Sequence, residues 1–342
     1  MQVGILGTGA IAAKHAQAYR NIGCRVVACT DRTPEKGRKF AAEWGAEFVS
    51  TPEELCRDPR LAMVDVCTFP AYRLEAVELC AQSHKHVLVQ KPMAVDLETA
   101  ARMIAVAREA GIQLGVVSQH RWDDSTIFLK RAIANGRLGK IIQADAYVKW
   151  YRSAQYYARP IKGSGAVEGG GALISQAIHQ VDLLFYLIGP VSQVFGYWHL
   201  GALHKIEAED CVCATMRYAS GATGVIQAAT ALWPGYPERL EIHGTKGSAI
   251  VTGDQLTSWD VQDDSGEPAP VREKSASGAS DPMAISLTPF ERQLSDFCEA
   301  AKAGRPAACS GEDGYKALEL VRSIYDSCAE GRSVNIATEK LD

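Results

Sequence analysis

Along the first third of the chain, hydrophobic and polar positions follow one repeating order. A short apolar run leads to a turn, and then apolar residues recur every three or four positions. The apolar runs Val3–Leu6, Arg25–Thr30, Glu47–Val49, Met63–Cys67, His86–Val89 and Gln113–Val117 read as strands. The periodic stretches Ile11–Asn21, Pro34–Trp44, Tyr72–Gln82 and Leu97–Ala110 read as helices between them. Strands separated by helices of that length cannot be hairpins. The pattern therefore predicts right-handed crossovers and an α/β, doubly wound parallel sheet over residues 1–120.

After "ANGRLGK" the pattern changes. Extended candidates at Ile141–Tyr151, Val194–Leu200, Cys211–Tyr218, Thr223–Leu232, Leu240–His243 and Ser248–Thr252 are joined in part by glycine turns such as "YASGATG" and "HGTKGS". They predict a largely antiparallel, open-faced sheet of six or more strands in an α+β domain over residues 121–342. A sheet with helices on one face leaves the other free for a second copy, so a homodimer or homotetramer is the expected assembly. One apolar helix interrupts the strands, "EGGGALISQAIHQVDLLFYLIGP", in which Ser175, His179 and Asp182 stand at i, i+4 and i+7 and share a face. A histidine and an acid in so apolar a helix call for partners, a requirement that a hydrogen-bonded core histidine and a catalytic one both meet. Asp263–Ser280, rich in Gly, Ser and Pro, reads as a surface loop. Pro289–Ala303 and Gly314–Glu330 read as closing helices, with room to pack back on the first domain.

The first crossover carries recognisable chemistry. Gly7-Thr8-Gly9-Ala10-Ile11-Ala12 is a G-x-G-x-x-A pattern that follows a strand and opens a helix. Gly7 allows the tight turn, Gly9 leaves room for a pyrophosphate, and Ala12 lets helix and strand approach. The helix start at Ala10 and Ile11 turns free N–H groups toward the phosphates. The second strand ends at Asp31, 24 residues beyond Gly7, where a ribose diol needs an acceptor. That acid favours NAD, while the adjacent Arg32 suits a 2′-phosphate and keeps NADP open. Asp31 also fits the N-cap of the helix starting near Pro34, a position that Thr33 fills equally well.

Composition narrows the partners. The chain has 342 residues, 47% of them hydrophobic, which is material for two domains. A net charge of −4 with interspersed signs argues against nucleic acid. No window reaches the roughly 20 apolar residues needed to span a bilayer, and "VGIL" directly after Met1 lacks the form of a secretory signal. The ten cysteines are scattered, with Cys29, Cys67 and Cys80 inside apolar runs, so reduced thiols in a cytoplasmic protein are expected. Cys211 and Cys213 share a strand face, but no Cys or His follows at zinc spacing, and no metal is expected.

Taken in order, the glycine loop, "HVLVQKPMAVDLETA", "GRLGKI", "GGGALISQAIHQVDLL", "HGTKGSA" and "GYKALELVRSIYDSCAEGRSV" resemble the Gfo/Idh/MocA family, the glucose–fructose oxidoreductase and inositol dehydrogenase group. The resemblance covers nearly the whole chain. It implies a Rossmann domain, an open-faced sheet domain that mediates oligomers, and NAD(P)-dependent oxidation of sugars or polyols. The family's E-K-P motif falls on Gln90-Lys91-Pro92, in which the Lys-Pro bond is commonly cis, and its D-x-x-x-H motif falls on Ser175 to His179. Lys91 then faces nicotinamide and substrate, donating to a developing alkoxide, or acting as base if burial lowers its pKa, with a solvated surface lysine as the plain alternative. His179, with an unperturbed pKa of about 6.5, suits the base that takes the hydroxyl proton. Gln90 and Thr68 join the cofactor contacts. Three departures stand out: Gln90 for glutamate, Ser175 for aspartate, and "CTFPAYR", which puts Arg73 near the place of a usual histidine.

Candidates for binding a polyhydroxylated ring are His120, Arg121 and Trp122 after the sixth strand, and Lys149, Tyr151, Arg152 and Tyr157 around the first strand of the second sheet. Ser175 and Asp182 join them from the apolar helix. The same aromatics also suit plain packing of the sheet. The expected activity is hydride transfer between NAD and a secondary hydroxyl of a sugar, glycoside or cyclitol. Alternatives are a redox-assisted, NAD-dependent glycoside hydrolase and a non-catalytic NAD- or sugar-sensing protein.

Overall fold

The computed structural model describes residues 1–159, 161–263, 266–271 and 286–337. Packing divides it into two units, one of Met1–Gln119 with Ser286–Tyr315, the other of His120–Ile285 with Lys316–Asp342.

The first unit runs β1 (Gln2–Leu6), α1 (Ala10–Asn21), β2 (Arg25–Thr30), α2 (Pro34–Trp44), β3 (Glu47–Phe48), α3 (Pro52–Arg57), β4 (Met63–Val66), α4 (Arg73–Gln82), β5 (His86–Val89), α5 (Leu97–Glu109) and β6 (Leu114–Val116). The strands lie parallel in the order β3-β2-β1-β4-β5-β6. Val3, Ile5, Val64, Val66, Val87, Leu88 and Val89 are fully buried, as befits a sheet covered on both faces. The strand order reverses between β1 and β4, which opens a crevice at the carboxyl ends of the strands. Prolines start both α2 and α3 at positions where a helix has no N–H to lose. The short α3 lies outside the helices expected from the pattern, and the expected helix Tyr72–Gln82 is preceded by a 3₁₀ turn, Pro70–Tyr72, that takes its first residue.

The second unit begins in a 3₁₀ turn, Gln119–Trp122. It continues through α6 (Asp124–Ala134), β7 (Ile141–Lys149), α7 (Ala154–Tyr157), α8 (Gly165–Glu168), α9 (Ala172–Ser175) and α10 (Ile178–Ile188). The strands β8 (Val191–Leu200), β9 (Glu209–Tyr218), β10 (Thr223–Ala229), β11 (Arg239–Gly244), β12 (Gly247–Thr252) and β13 (Gln255–Val261) follow. Then come α11 (Thr288–Ala303), which belongs to the first unit, α12 (Gly311–Glu330) and the short β14 (Val334–Asn335). The sheet order is β13-β12-β11-β7-β10-β9-β8-β14, antiparallel except where β10 runs parallel to β7. Along β9, Val212, Ala214, Met216 and Tyr218 are buried while Cys213, Thr215 and Arg217 are exposed, so one face is covered and the other is open. Most of the expected loop Asp263–Ser280 lies outside the described residues.

In the first unit, α11 completes the core through Gln293, which is buried. Its amide donates to Val116 O at 2.8 Å, and its carbonyl accepts from Ser118 N at 3.0 Å. Among the described residues no single helix is long and apolar enough to cross a membrane.

Candidate active site

In the first unit, four expected groups stand at the carboxyl ends of adjacent strands: the glycine loop after β1, Asp31 after β2, Thr68 after β4 and Lys91 after β5. Gly7 has φ +90°, and a Cβ there would lie 3.0 Å from the Thr68 side chain. Gly9 is the N-cap of α1, and a Cβ on it would meet nothing within 4 Å. The first turn, from Ala10 and Ile11, carries neither a capping side chain nor an acid, so its N–H groups face open space with the positive end of the helix dipole. A dinucleotide pyrophosphate fits that cradle.

Asp31 is half-buried and fixed from two sides. Thr8 donates its N–H at 2.7 Å and its hydroxyl at 2.8 Å to Oδ2, and Thr33 N–H donates to Oδ1 at 2.8 Å. Burial pushes the carboxyl up, but these donations outweigh it and hold its pKa below the ordinary carboxylate value. Thr33 occupies the N-cap of α2, so Asp31 is held at the strand end and does not cap the helix. Arg32 is exposed and lies over the Tyr72 ring at 5.6 Å. Thr68 Oγ1 is buried without a hydrogen-bond partner among the described residues.

Gln90 requires a correction. Its side chain is buried and points into the unit, where Nε2 lies 2.8 Å from His15 Nε2, so it does not reach the cofactor edge. That donation places the ring proton of His15 on Nδ1, which faces Asp65 Oδ2 at 2.6 Å. Tyr19 OH also donates to this carboxylate, at 3.0 Å. Beside it, the Arg73 guanidinium donates to the carbonyls of Gln90 and Pro92, and to Thr68 O at 3.0 and 2.5 Å. Burial pushes the Arg73 pKa down to about 9, so the group stays charged at neutral pH. The half-buried Lys91 is therefore flanked by two carbonyls tied to the loop that carries Thr68. The Lys91–Pro92 bond is cis. Arg73 falls where the departure "CTFPAYR" placed it, whereas neither His15 nor Asp65 was expected at the site. An acid in the middle of the apolar run "MVDVC" was the signal that could have pointed to this network.

In the second unit, the apolar helix does not run straight through. It breaks at Gln176-Ala177, and residues 165–175 and Ile178–Ile188 meet at 58°. Ser175 thus does not share a helix face with His179 and Asp182. Its hydroxyl turns back onto Gly171 O at 2.7 Å. Glu209, buried, accepts from Gly171 N and Leu173 N, each at 2.7 Å, and from Tyr325 OH at 2.8 Å. This anchors the start of α9, and a Cβ on Gly171 would fall 1.8 Å from Glu209 O. At the break, Gln176 accepts from Arg152 Nη2 at 2.9 Å and donates to Tyr156 OH at 3.0 Å.

His179, half-buried on α10, meets His120 edge-on, with ring centroids 4.9 Å apart and planes at 82°. His120 Nδ1 lies 2.6 Å from Asp123 Oδ2. One turn along α10, Arg121 and Asp182 form a buried two-point ion pair, at 2.8 Å from Nε and 2.6 Å from Nη2. Arg121 also lies over the Tyr186 ring at 4.6 Å. The charges of Arg121 and Asp182 are thus met by each other. Trp122 is half-buried at the end of the same turn.

The remaining candidates scatter. Lys149 follows Tyr147 on β7, lies 5.2 Å above its ring and shares its face, opposite to Ala144, Ala146 and Val148. Tyr151 meets the exposed Trp233 edge-on at 5.0 Å. Arg152 is buried against Trp150 and Gln176. Tyr157 hydrogen-bonds Thr230 Oγ1 at 2.7 Å and packs on His204, and burial pushes its phenol pKa upward.

Comparison with known proteins agrees with this layout. Residues 1–118 match the family model described as an oxidoreductase family with an NAD-binding Rossmann fold, and residues 127–250 match the GFO/IDH/MocA C-terminal domain. The myo-inositol 2-dehydrogenase of Thermotoga maritima is 28% identical over 98% of each chain. The 1,5-anhydro-D-fructose reductase of Ensifer adhaerens is 29% identical, again over 98% of each. The WlbA dehydrogenase of Bordetella pertussis, solved with NADH and UDP-GlcNAcA, superposes with a TM-score of 0.87 at 28% identity, over 100% of this chain and 99% of that one. With its glycine cradle, its Asp31 and its mixed second sheet, this chain belongs to the Gfo/Idh/MocA family of oxidoreductases with an NAD-binding Rossmann domain.

Proposed function

We propose that the protein transfers hydride between NAD and a secondary hydroxyl of a sugar, glycoside or cyclitol. The observation that carries this reading is the placement of Lys91. It stands at the carboxyl edge that also bears the Gly7–Gly9 cradle, Asp31 and Thr68, and its neighbouring carbonyls are fixed by Arg73. Asp31 receives the adenosine ribose, and the start of α1 receives the pyrophosphate. When bound, NAD supplies the acceptor for a hydride from the carbinol carbon. Lys91 donates a hydrogen bond to the oxygen as charge develops on it, and His179 takes the hydroxyl proton. Relatives named for inositol and anhydrofructose chemistry support a polyol or sugar as substrate. We further assign the protein to the cytoplasm, as a homo-oligomer joined through the open sheet face and without nucleic-acid or membrane partners.

The test is NADH formation with inositols, aldoses, glycosides and sugar acids. One substrate class should respond, and His179→Ala should lower kcat by about 100-fold or more while leaving NAD affinity unchanged. Turnover retained in that variant removes His179 from the chemistry. Silence of the wild-type protein on every substrate, with NAD still bound, points instead to a sensor or to a redox-assisted hydrolase.

A further inference from the structure

Ser175 stands where the family's motif has a carboxylate, and its hydroxyl is turned onto Gly171 O. An imidazole that takes a proton at neutral pH gains from a negative group that favours its charged form and fixes its ring. We infer that Asp123, acting through His120, does this for His179, and that both are positioning residues for the proposed base.

Three observations converge. The Asp123 carboxylate, 7% exposed, holds the His120 ring, 12% exposed, at 2.6 Å, which fixes the orientation of that ring. His120 stands perpendicular to His179 with centroids 4.9 Å apart, a geometry in which one ring's edge meets the other's electron-rich face. The contact is held in register one helical turn away, where Arg121 clamps Asp182 with two hydrogen bonds and covers Tyr186. When His179 takes a proton, the positive ring lies against an imidazole that is hydrogen-bonded to a carboxylate, which favours the charged form.

Other charged groups around α10 do not supply this effect. Arg121 and Asp182 are opposite in sign and compensate each other. Lys130 of α6 lies over Tyr186 at 4.4 Å and bonds Tyr186 O, while Asp124 at the start of α6 is exposed. β7 presents Ala144, Ala146 and Val148 on its covered face, with Asp145 and Lys149 on the other, and α9 carries no titratable side chain. Asp123 is the carboxylate seen hydrogen-bonded to this pair of rings among the described residues.

This inference rests on the proposed role of His179, so its test includes a readout independent of turnover. In the full-length protein, ring signals of labelled histidines are followed by NMR against pH in wild type, Asp123→Asn and His120→Asn, assigned with His179→Ala. Both variants should move the His179 midpoint downward by about half a pH unit or more. With an active substrate, kcat should fall about tenfold or more at neutral pH with little change in KM, and the acid limb of the pH–rate profile should shift the same way. Asp123→Asn retains a hydrogen-bonding shape, so a folded variant with an unmoved His179 midpoint overturns the inference. A rise in KM at unchanged kcat overturns it too, since that places His120 on the substrate. If the wild type turns over no substrate, the proposed function fails, and the NMR titration still decides the coupling.

Discussion

Asp31 accepts three hydrogen bonds, so its two oxygens are set in place at the carboxyl edge of the sheet, where the proposed ribose site lies. Replacing it with serine removes the charge that repels a 2′-phosphate and leaves Arg32 beside the site. Asp31→Ser should narrow the ratio of kcat/KM for NAD over NADP by about tenfold or more, measured with both cofactors on one substrate. An unchanged ratio would show that Asp31 does not contact the ribose. Because the folded-state pKa of Asp31 lies below the ordinary value, the carboxylate's contribution to stability is present above that value, about 3.9. It is lost as pH falls through the lowered folded pKa, so NAD binding should persist through pH 5. The placement of Gly7, Gly9 and Asp31 at neighbouring strand ends was legible in the sequence because a glycine loop and the next strand end are local features at short, fixed spacing. Gln90 and Asp182 were not. Their partners, His15 and Arg121, lie 75 and 61 residues away, and only the fold brings them together.

At the scale of elements, the helix that looked continuous is two, because its ends answer to different neighbours. Glu209 holds the start of α9 with three donors on one carboxylate, while Gln176 at the break is tied to Arg152 and Tyr156. Burial raises the pKa of Glu209 in spite of those donors. Its folded form therefore holds a proton more readily than its unfolded form, and its contribution to stability falls as pH rises from the ordinary value through the raised one. Glu209→Gln offers one oxygen and an NH₂ in place of two acceptors, leaving a donor facing a donor. It should lower stability at pH 7 by about 1–3 kcal/mol in urea unfolding and flatten the pH dependence in that window. No loss would mean that α9 is held by its packing alone. The longer strands and helices elsewhere followed the hydrophobic period closely, while the four-residue α7 and α8 had no expected counterpart. The short α3, β13 and β14 were missed because a six-residue helix, a strand half-exposed along much of its length and a two-residue strand show little periodicity.

For the whole molecule, the open face of the eight-stranded sheet carries Cys213, Thr215 and Arg217 on β9 and an exposed Tyr197 on β8. If copies associate there, Tyr197→Glu should convert an oligomer to monomers in sedimentation at micromolar concentration, and an unchanged sedimentation coefficient would place the interface elsewhere. The fold class could be read from periodicity because each domain repeats one pattern many times. The return of a closing helix to the first domain was expected as well, but which residues it meets was not, because those depend on surfaces that no local window contains. That return governs synthesis. The first unit takes its last helical segments from Ser286–Tyr315, so β6 and its neighbours emerge from the ribosome without Gln293 to meet Val116 and Ser118. Residues 120–285 must be translated in between, which at about 5–20 residues per second leaves that edge uncovered for on the order of ten to thirty seconds. During that interval the nascent cofactor domain has all six strands but lacks α11 over its core. Folding of the first unit can therefore finish only after the second has been synthesised, since Gln293 must return to Val116 and Ser118.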